Sequence, residues 1–234
     1  MGNSIKKFIT LGLVLVGIPL LFVLLGKADH QFGTVKYFVP EKVVEKEVDG
    51  KMVNDTIWSK IIPFKFTNQN GETITEKDYE GHIYVADFFF TTCPTICPVM
   101  TKQMNQLIWQ LDGKPGDDIR YLSFTVDPEF DTPEVLHAYA KKNEVNGNIW
   151  NMVTGEKDKI YQLGVNSFKL STQEDVLAPG GFLHSNLFVL IDEEKHIRGY
   201  YDGTNSEQVR ILGADIKKLV SEKKQKELAK RKKL

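Results

Sequence analysis

The apolar residues of the chain fall into runs whose length and period change at turn-forming residues, and those changes predict its elements. The first run, Phe8 to Leu25 (FITLGLVLVGIPLLFVLL), carries no charge and nearly reaches the length of about 20 residues that spans a bilayer. From 28 to 60 the pattern turns polar, with Glu41, Lys42, Glu45, Lys46 and Glu47 close together and a turn at Asp49-Gly50, and reads as a spacer with room for a short strand pair. Ile61 to Thr67, Asn68-Gln69-Asn70-Gly71 and Glu72 to Thr75 predict a β-hairpin with an Asn-Gly turn. Ile83 to Phe90 is β-branched and aromatic without alternation, the pattern of a strand buried on both faces. Met100 to Leu111 then takes up helical spacing.

A second buried-type strand, Ile119 to Val126, follows the turn Pro115-Gly116-Asp117-Asp118. Thr132 as N-cap, Pro133 at the first helical position and Glu134 in the first turn open a helix to about Lys142. Ile149 to Val153 is a short strand closed by Thr154-Gly155, and Lys157 to Leu163 is a short helix. Val165 to Gly181 is a polar stretch, and a loop of that length inside a compact domain is usually functional or mobile. It leads into Phe182-Leu183-His184-Ser185, then an antiparallel hairpin of Asn186 to Ile191 and His196 to Tyr201, and a final helix capped by Ser206 and ending near Ser221. Strand, helix, strand, helix implies βαβ units with right-handed crossovers. A leading hairpin, parallel βαβ, an antiparallel hairpin and a last helix give the element order of a thioredoxin-like domain. The expected fold is therefore α/β: a thioredoxin-like central mixed sheet flanked by helices, with an N-terminal hairpin and one N-terminal transmembrane helix.

Composition adds the setting. With 234 residues, 41% of them hydrophobic and 11% aromatic, the chain can build a full core, and a net charge of −1 argues against a nucleic-acid partner. Lys6 and Lys7 precede the uncharged run, so the N-terminus is expected in the cytoplasm and everything after Lys27 on the extracytoplasmic, periplasmic side. An uncleaved anchor is favoured by the length of the run; a cleaved signal is the competing reading, with Gly26-Lys27-Ala28 a weak cleavage site. No cysteine ends the run, which excludes lipoprotein processing. The ending KKQKELAKRKKL is basic, either simply solvated or docked on anionic headgroups. The expected organisation is a membrane anchor over 1–27, a polar spacer over 28–60, a thioredoxin-like domain over 61–222 and a basic tail over 223–234.

The chemistry concentrates in two cysteines, the chain's whole complement, Cys93 and Cys97. They stand where the buried strand gives way to a helix, and the free N–H groups and positive dipole end of a helix start favour a thiolate. A spacing of four puts both sulfurs on one helical face. The plain alternative is a pair of small buried residues. In an exported, oxidising setting such a pair is poised for disulfide exchange or metal capture. A peroxide-attacking thiol would want an arginine close behind it, and none follows closely.

Phe89-Phe90-Thr91-Thr92-Cys93-Pro94-Thr95-Ile96-Cys97-Pro98, Thr125-Val126-Asp127-Pro128-Glu129-Phe130-Asp131-Thr132-Pro133, Trp150 with Thr154-Gly155, and His184 before an apolar strand together resemble the Sco/SenC family, over about residues 60 to 220. Thioredoxins place two residues between their cysteines; three stand here, as in that family. The resemblance implies a membrane-anchored copper metallochaperone for assembly of the dinuclear copper centre of cytochrome c oxidase, with Cys93 and Cys97 as thiolate ligands and His184 as imidazole ligand to Cu(I) or Cu(II). Its implied partners are the copper-bearing oxidase subunit or its apo form, a copper donor protein and the membrane. The alternative is a membrane-anchored thiol-disulfide oxidoreductase acting on exported cuproprotein or cytochrome cysteines through Cys93 and Cys97. Soft thiolates suit Cu(I), and an added imidazole allows Cu(II). The Asp127 to Pro133 segment is a turn and helix start, or a loop shaping the copper site. Leu183 stands where many family members carry an acidic residue, which leaves the supporting partner of His184 open.

Overall fold

A computed structural model describes residues 34–48, 51–111, 119–170 and 185–232. The transmembrane expectation for 8–25, the turn at 115–118 and His184 lie outside the described residues. Among those described, no helix is long and apolar enough to cross a membrane.

Two strands, β1 (Pro40–Val48) and β2 (Lys51–Trp58), form a separate antiparallel ribbon, a longer pair than the short one expected within 28–60. The remaining strands make one seven-stranded sheet: β3 (Lys65–Asn68), β4 (Thr73–Thr75), β5 (Ile83–Phe89), β6 (Ile119–Thr125), β7 (Trp150–Thr154), β8 (Leu187–Ile191) and β9 (Ile197–Asp202), in the order β4-β3-β7-β6-β5-β8-β9. β5, β6 and β7 are parallel, while the β3-β4 hairpin and the β8-β9 hairpin flank them antiparallel. That is the mixed, helix-flanked sheet the pattern predicts. The β3-β4 hairpin closes through Gly71 at φ +77, a conformation a side chain would strain, with the Asn68 carboxamide oxygen accepting from the N–H groups of Asn70 and Glu72.

Every residue of β5 is buried, which is why its sequence shows no alternation. Among the described residues, a 3-10 turn (Glu76–Tyr79) and four α-helices accompany the sheet: α1 (Ile96–Leu111), α2 (Pro133–Lys142), α3 (Lys157–Asn166) and α4 (Ser206–Arg231). The crossovers β5-α1-β6 and β6-α2-β7 run in one direction and so place α1 and α2 side by side. Thr101 and Tyr139 share a hydroxyl hydrogen bond of 2.9 Å there, and Asn105 donates to the Asn143 carbonyl at 2.7 Å. α4 packs on α1, where Gly213 lets Leu107 approach. The opposite face is aromatic: the Phe124 ring lies 5.0 Å from that of Phe88, 5.7 Å from those of Phe64 and Phe66 and 5.6 Å from that of Phe168.

Several boundaries move. α1 begins at Ile96, which brings Cys97 into its first turn, and α3 continues to Asn166. The stretch predicted as a loop from Val165 therefore starts in a helix, and Phe168 and Leu170 are core residues. The cap of α4 is Asn205 rather than Ser206, because the Asn205 carboxamide oxygen accepts from the N–H groups of Glu207 and Gln208. α4 also overruns its apolar pattern: its last buried residue is Val220, yet the helix reaches Arg231.

Candidate functional site

The site grows from the end of β5. After Phe89 the chain turns through Phe90 to Thr95, with the Cys93 N–H donating to the Phe90 carbonyl at 3.3 Å, and enters α1. Both cysteines are free and buried, Cys93 at 5% exposure and Cys97 at 3%. They are not equivalent. Burial pushes the Cys93 thiol up, but hydrogen bonds from the backbone N–H groups of Cys97 and Thr95 and from the side chains of Cys97 and Thr95 outweigh it and bring the thiol down to about 7. The Cys97 thiol is driven well above the ordinary range by burial first, then by the neighbouring Cys93 and Asp87, against one favourable backbone contact from Phe90. One thiol at this junction is thus a ready thiolate and nucleophile, and the other a held proton.

Two buried carboxylates support them: Asp87, not singled out from the sequence, and Asp131, inside the Asp127 to Pro133 segment. Asp87, in the middle of β5, is 4% exposed; its register partner on β6 is Ser123, whose hydroxyl donates to the carboxylate and accepts from the Trp150 indole N–H at 2.8 Å. Burial raises the Asp87 carboxyl to about 7, against the opposing Ser123 hydrogen bond. The signal was available: a single charge inside an otherwise apolar strand. This gives Trp150 a definite place, fully buried with its N–H spent on the chain that ends at Asp87.

The second support answers the question left open about Asp127 to Pro133. Thr132 accepts from the Val135 N–H as the cap of α2, so the segment is a helix start. Its neighbour Asp131, fully buried, reaches across to the cysteine turn and accepts from the Thr91 N–H at 3.1 Å and from the hydroxyls of Thr91 and Thr125. One carboxylate therefore fixes the residue two positions before Cys93 to the end of β6. Burial raises the Asp131 carboxyl, with the threonine donors opposing. Thr101 on α1 links the site to α2 as well, donating to the Cys97 carbonyl at 2.9 Å. Gly155 has a packing reason, since a Cβ there would lie 2.7 Å from the Phe66 ring.

Of the three sequence-predicted site residues, Cys93 and Cys97 are brought together, and His184 lies outside the described residues. Among the described residues no three His, Cys, Asp or Glu side chains cluster closely enough to hold a metal ion. His196 stands elsewhere, beside Asp192 with 3.5 Å between Nδ1 and Oδ1.

Comparison with known proteins agrees on one family. The model of the SCO1/SenC family matches residues 58–221. The SCO1 protein homolog of Bacillus subtilis (strain 168) is 30% identical over 172 residues, covering 72% of this chain and 86% of that protein. A solved structure of BsSco, described as having a disulfide switch and as a member of the Sco family of cytochrome c oxidase assembly proteins, is 30% identical, with a TM-score of 0.60 over 70% of this chain and 95% of that one. Yeast Sco1 with copper bound is 25% identical, with a TM-score of 0.52 over 66% of this chain and 87% of that one.

Proposed function

The chain belongs to the SCO1/SenC family, and from that premise we propose that it is a membrane-anchored copper metallochaperone that helps assemble the dinuclear copper centre of cytochrome c oxidase. Cys93, Cys97 and His184 are the proposed ligands. The observation that carries the reading is the pair of free thiols at the start of α1, one of them brought down to about 7. Such a thiolate is open to a soft metal near neutral pH, and two thiolates suit Cu(I), whereas the imidazole extends the set to Cu(II). The copper in yeast Sco1 and the assembly role of BsSco support the cargo and the partner class. The partners proposed are the copper-bearing oxidase subunit, in its apo form, and an upstream copper donor. The globular domain is placed on the periplasmic side, tethered by the uncharged run 8–25.

In this reading the residues of the chain divide the work. Cys93 presents the first sulfur because N–H groups of Thr95 and Cys97 stabilise its anion; Cys97 must give up a proton on loading, and Asp87 is the buried group beside it whose charge opposes that loss. Asp131 holds the turn that carries Cys93. Copper loading should therefore release protons and strengthen as pH rises.

The same acidity of Cys93, together with the disulfide switch of BsSco, supports a second reading, thiol-disulfide exchange on exported cysteines. Reduction of a disulfide-bonded peptide from the oxidase copper site separates the two. For a pure oxidoreductase, Cys93→Ser abolishes the reduction and His184→Ala leaves it intact, with no tight copper binding by either. For the chaperone, the reduced chain binds copper near-stoichiometrically and loses Cu(II) affinity with His184; absence of tight copper binding by the fully reduced chain would overturn it.

A further inference from the structure

The sheet has two poles, and the thiols occupy only one. β5 starts two residues after Gly81 and rises about 20 Å over its seven residues before the turn to Cys93. At the starting pole the Lys223 ammonium donates to the Gly81 carbonyl at 2.6 Å, and Lys226 donates to Glu193 at 2.8 Å in the β8-β9 turn. The chain also enters the domain here: the Val35 N–H donates to Glu222 at 3.0 Å, and Arg198 bonds both the Val35 carbonyl and Glu222. Nine residues separate Val35 from the end of the uncharged run at Leu25, a tether of at most about 36 Å.

Beyond Glu222, α4 continues as Lys223–Arg231 for about 14 Å with no buried residue. The segment 223–232 carries Lys223, Lys224, Lys226, Lys230, Arg231 and Lys232 against a single acid, Glu227, and everything from Glu227 to Lys232 is exposed. Lys223 and Lys226 anchor the first turn of this extension on Gly81 and the β8-β9 turn, and beyond them Glu227 to Lys232 stands exposed, a helix end that can bridge to another surface. α4 descends from Asn205, near the end of β9, past Leu107 to Glu222, so its extension points away from the cysteines.

We propose that the basic extension of α4 docks on a bilayer surface bearing anionic lipid, and that this contact beside the entry point at Val35 holds the thiol pole facing away from the membrane. The proposal rests on the anchored reading of 8–25. A basic cluster held this close to a bilayer is attracted by anionic headgroups in the facing leaflet, over a range set by the Debye length.

The test uses the full chain in bilayer discs of phosphatidylcholine alone and of an equimolar mixture with phosphatidylglycerol. Backbone hydrogen exchange over 223–232 should slow about tenfold in the anionic discs, recover in high salt, and stay fast in the triple variant Lys230→Glu, Arg231→Glu, Lys232→Glu, whose unfolding midpoint checks the fold. Alkylation of Cys93 by a water-soluble maleimide should run at the same rate in both discs. Equal exchange over 223–232 in the two lipids overturns the docking, and slowing of Cys93 alkylation by phosphatidylglycerol overturns the orientation. Carbonate extraction separates the premise: release of the chain contradicts the anchor alone, and exchange measured on chain added to preformed vesicles of the same lipids still decides the docking.

Discussion

The two ends of the central sheet handle buried charge in opposite ways. At the start of β5 and the β8-β9 turn, Arg198 is 2% exposed and saturated: it pairs with Asp192 at 3.0 Å and Glu222 at 3.0 Å, donates to the carbonyls of Val35 and Lys36, and lies 4.0 Å over the Tyr37 ring. At the other end, Asp87 has one hydrogen-bond donor and no cation beside it among the described residues, Cys97 is buried with a single backbone contact favouring its anion, and Cys93 is held near the point of ionisation. A saturated charge holds structure in place. Groups left close to their protonation thresholds can exchange protons, electrons or a metal, so the contrast separates the latch of the domain from its chemistry.

Removing the centre of the latch should have the largest effect. Arg198→Met leaves Asp192 fully buried and Glu222 partly buried without their cation, a loss of about 3–5 kcal/mol read by urea unfolding. The thiol end should respond to charge in the opposite sense. Burial lifts Asp87 from an ordinary value of 3.8 to about 7, so the folded state is favoured with Asp87 protonated; that stability is full below pH 3.8 and drains away as pH rises through 7. Asp87→Asn should therefore stabilise the reduced protein above pH 7, by up to about 4 kcal/mol, and leave stability unchanged near pH 3. A destabilising effect at both pH values would show the carboxylate to be satisfied after all.

Asp131→Ala comes next. It strips the acceptor from the Thr91 N–H and two hydroxyls, costing about 2–3 kcal/mol, and should also raise the alkylation midpoint of Cys93 as its turn loosens. Thr132→Ala, one residue on, removes only the α2 cap and should cost about 1 kcal/mol without moving that midpoint. If the neighbours act alike on Cys93, Asp131 is no more than part of the helix start.

The two ends were also unequally legible in the sequence. The apolar runs of β5 and β6, the Asn-Gly hairpin and the Thr132-Pro133 helix start are local signals, and all appear where they were read. The cysteines marked the thiol end for the same reason. Asp87 escaped because a strong apolar run absorbs one odd residue when read by period alone. The latch escaped because it is largely non-local: Arg198 sits on a strand where alternation suggests a surface position, and although Asp192 is six residues away, Lys36 and Glu222 lie 162 and 24 residues away. The extension of α4 has no apolar period to announce it, and Phe168 and Leu170 were hidden in a polar neighbourhood.

The proposed function makes Cys93 and Cys97 two ligands of a copper site whose third is His184. Its most direct test is a titration of the reduced full chain in detergent with Cu(I) and Cu(II), beside His184→Ala. The natural chain should bind both ions near-stoichiometrically, with a sulfur-to-Cu(II) charge-transfer band, and the variant should keep Cu(I) while losing tight Cu(II) and that band. A His184→Ala protein with unchanged Cu(II) affinity and spectrum would contradict it.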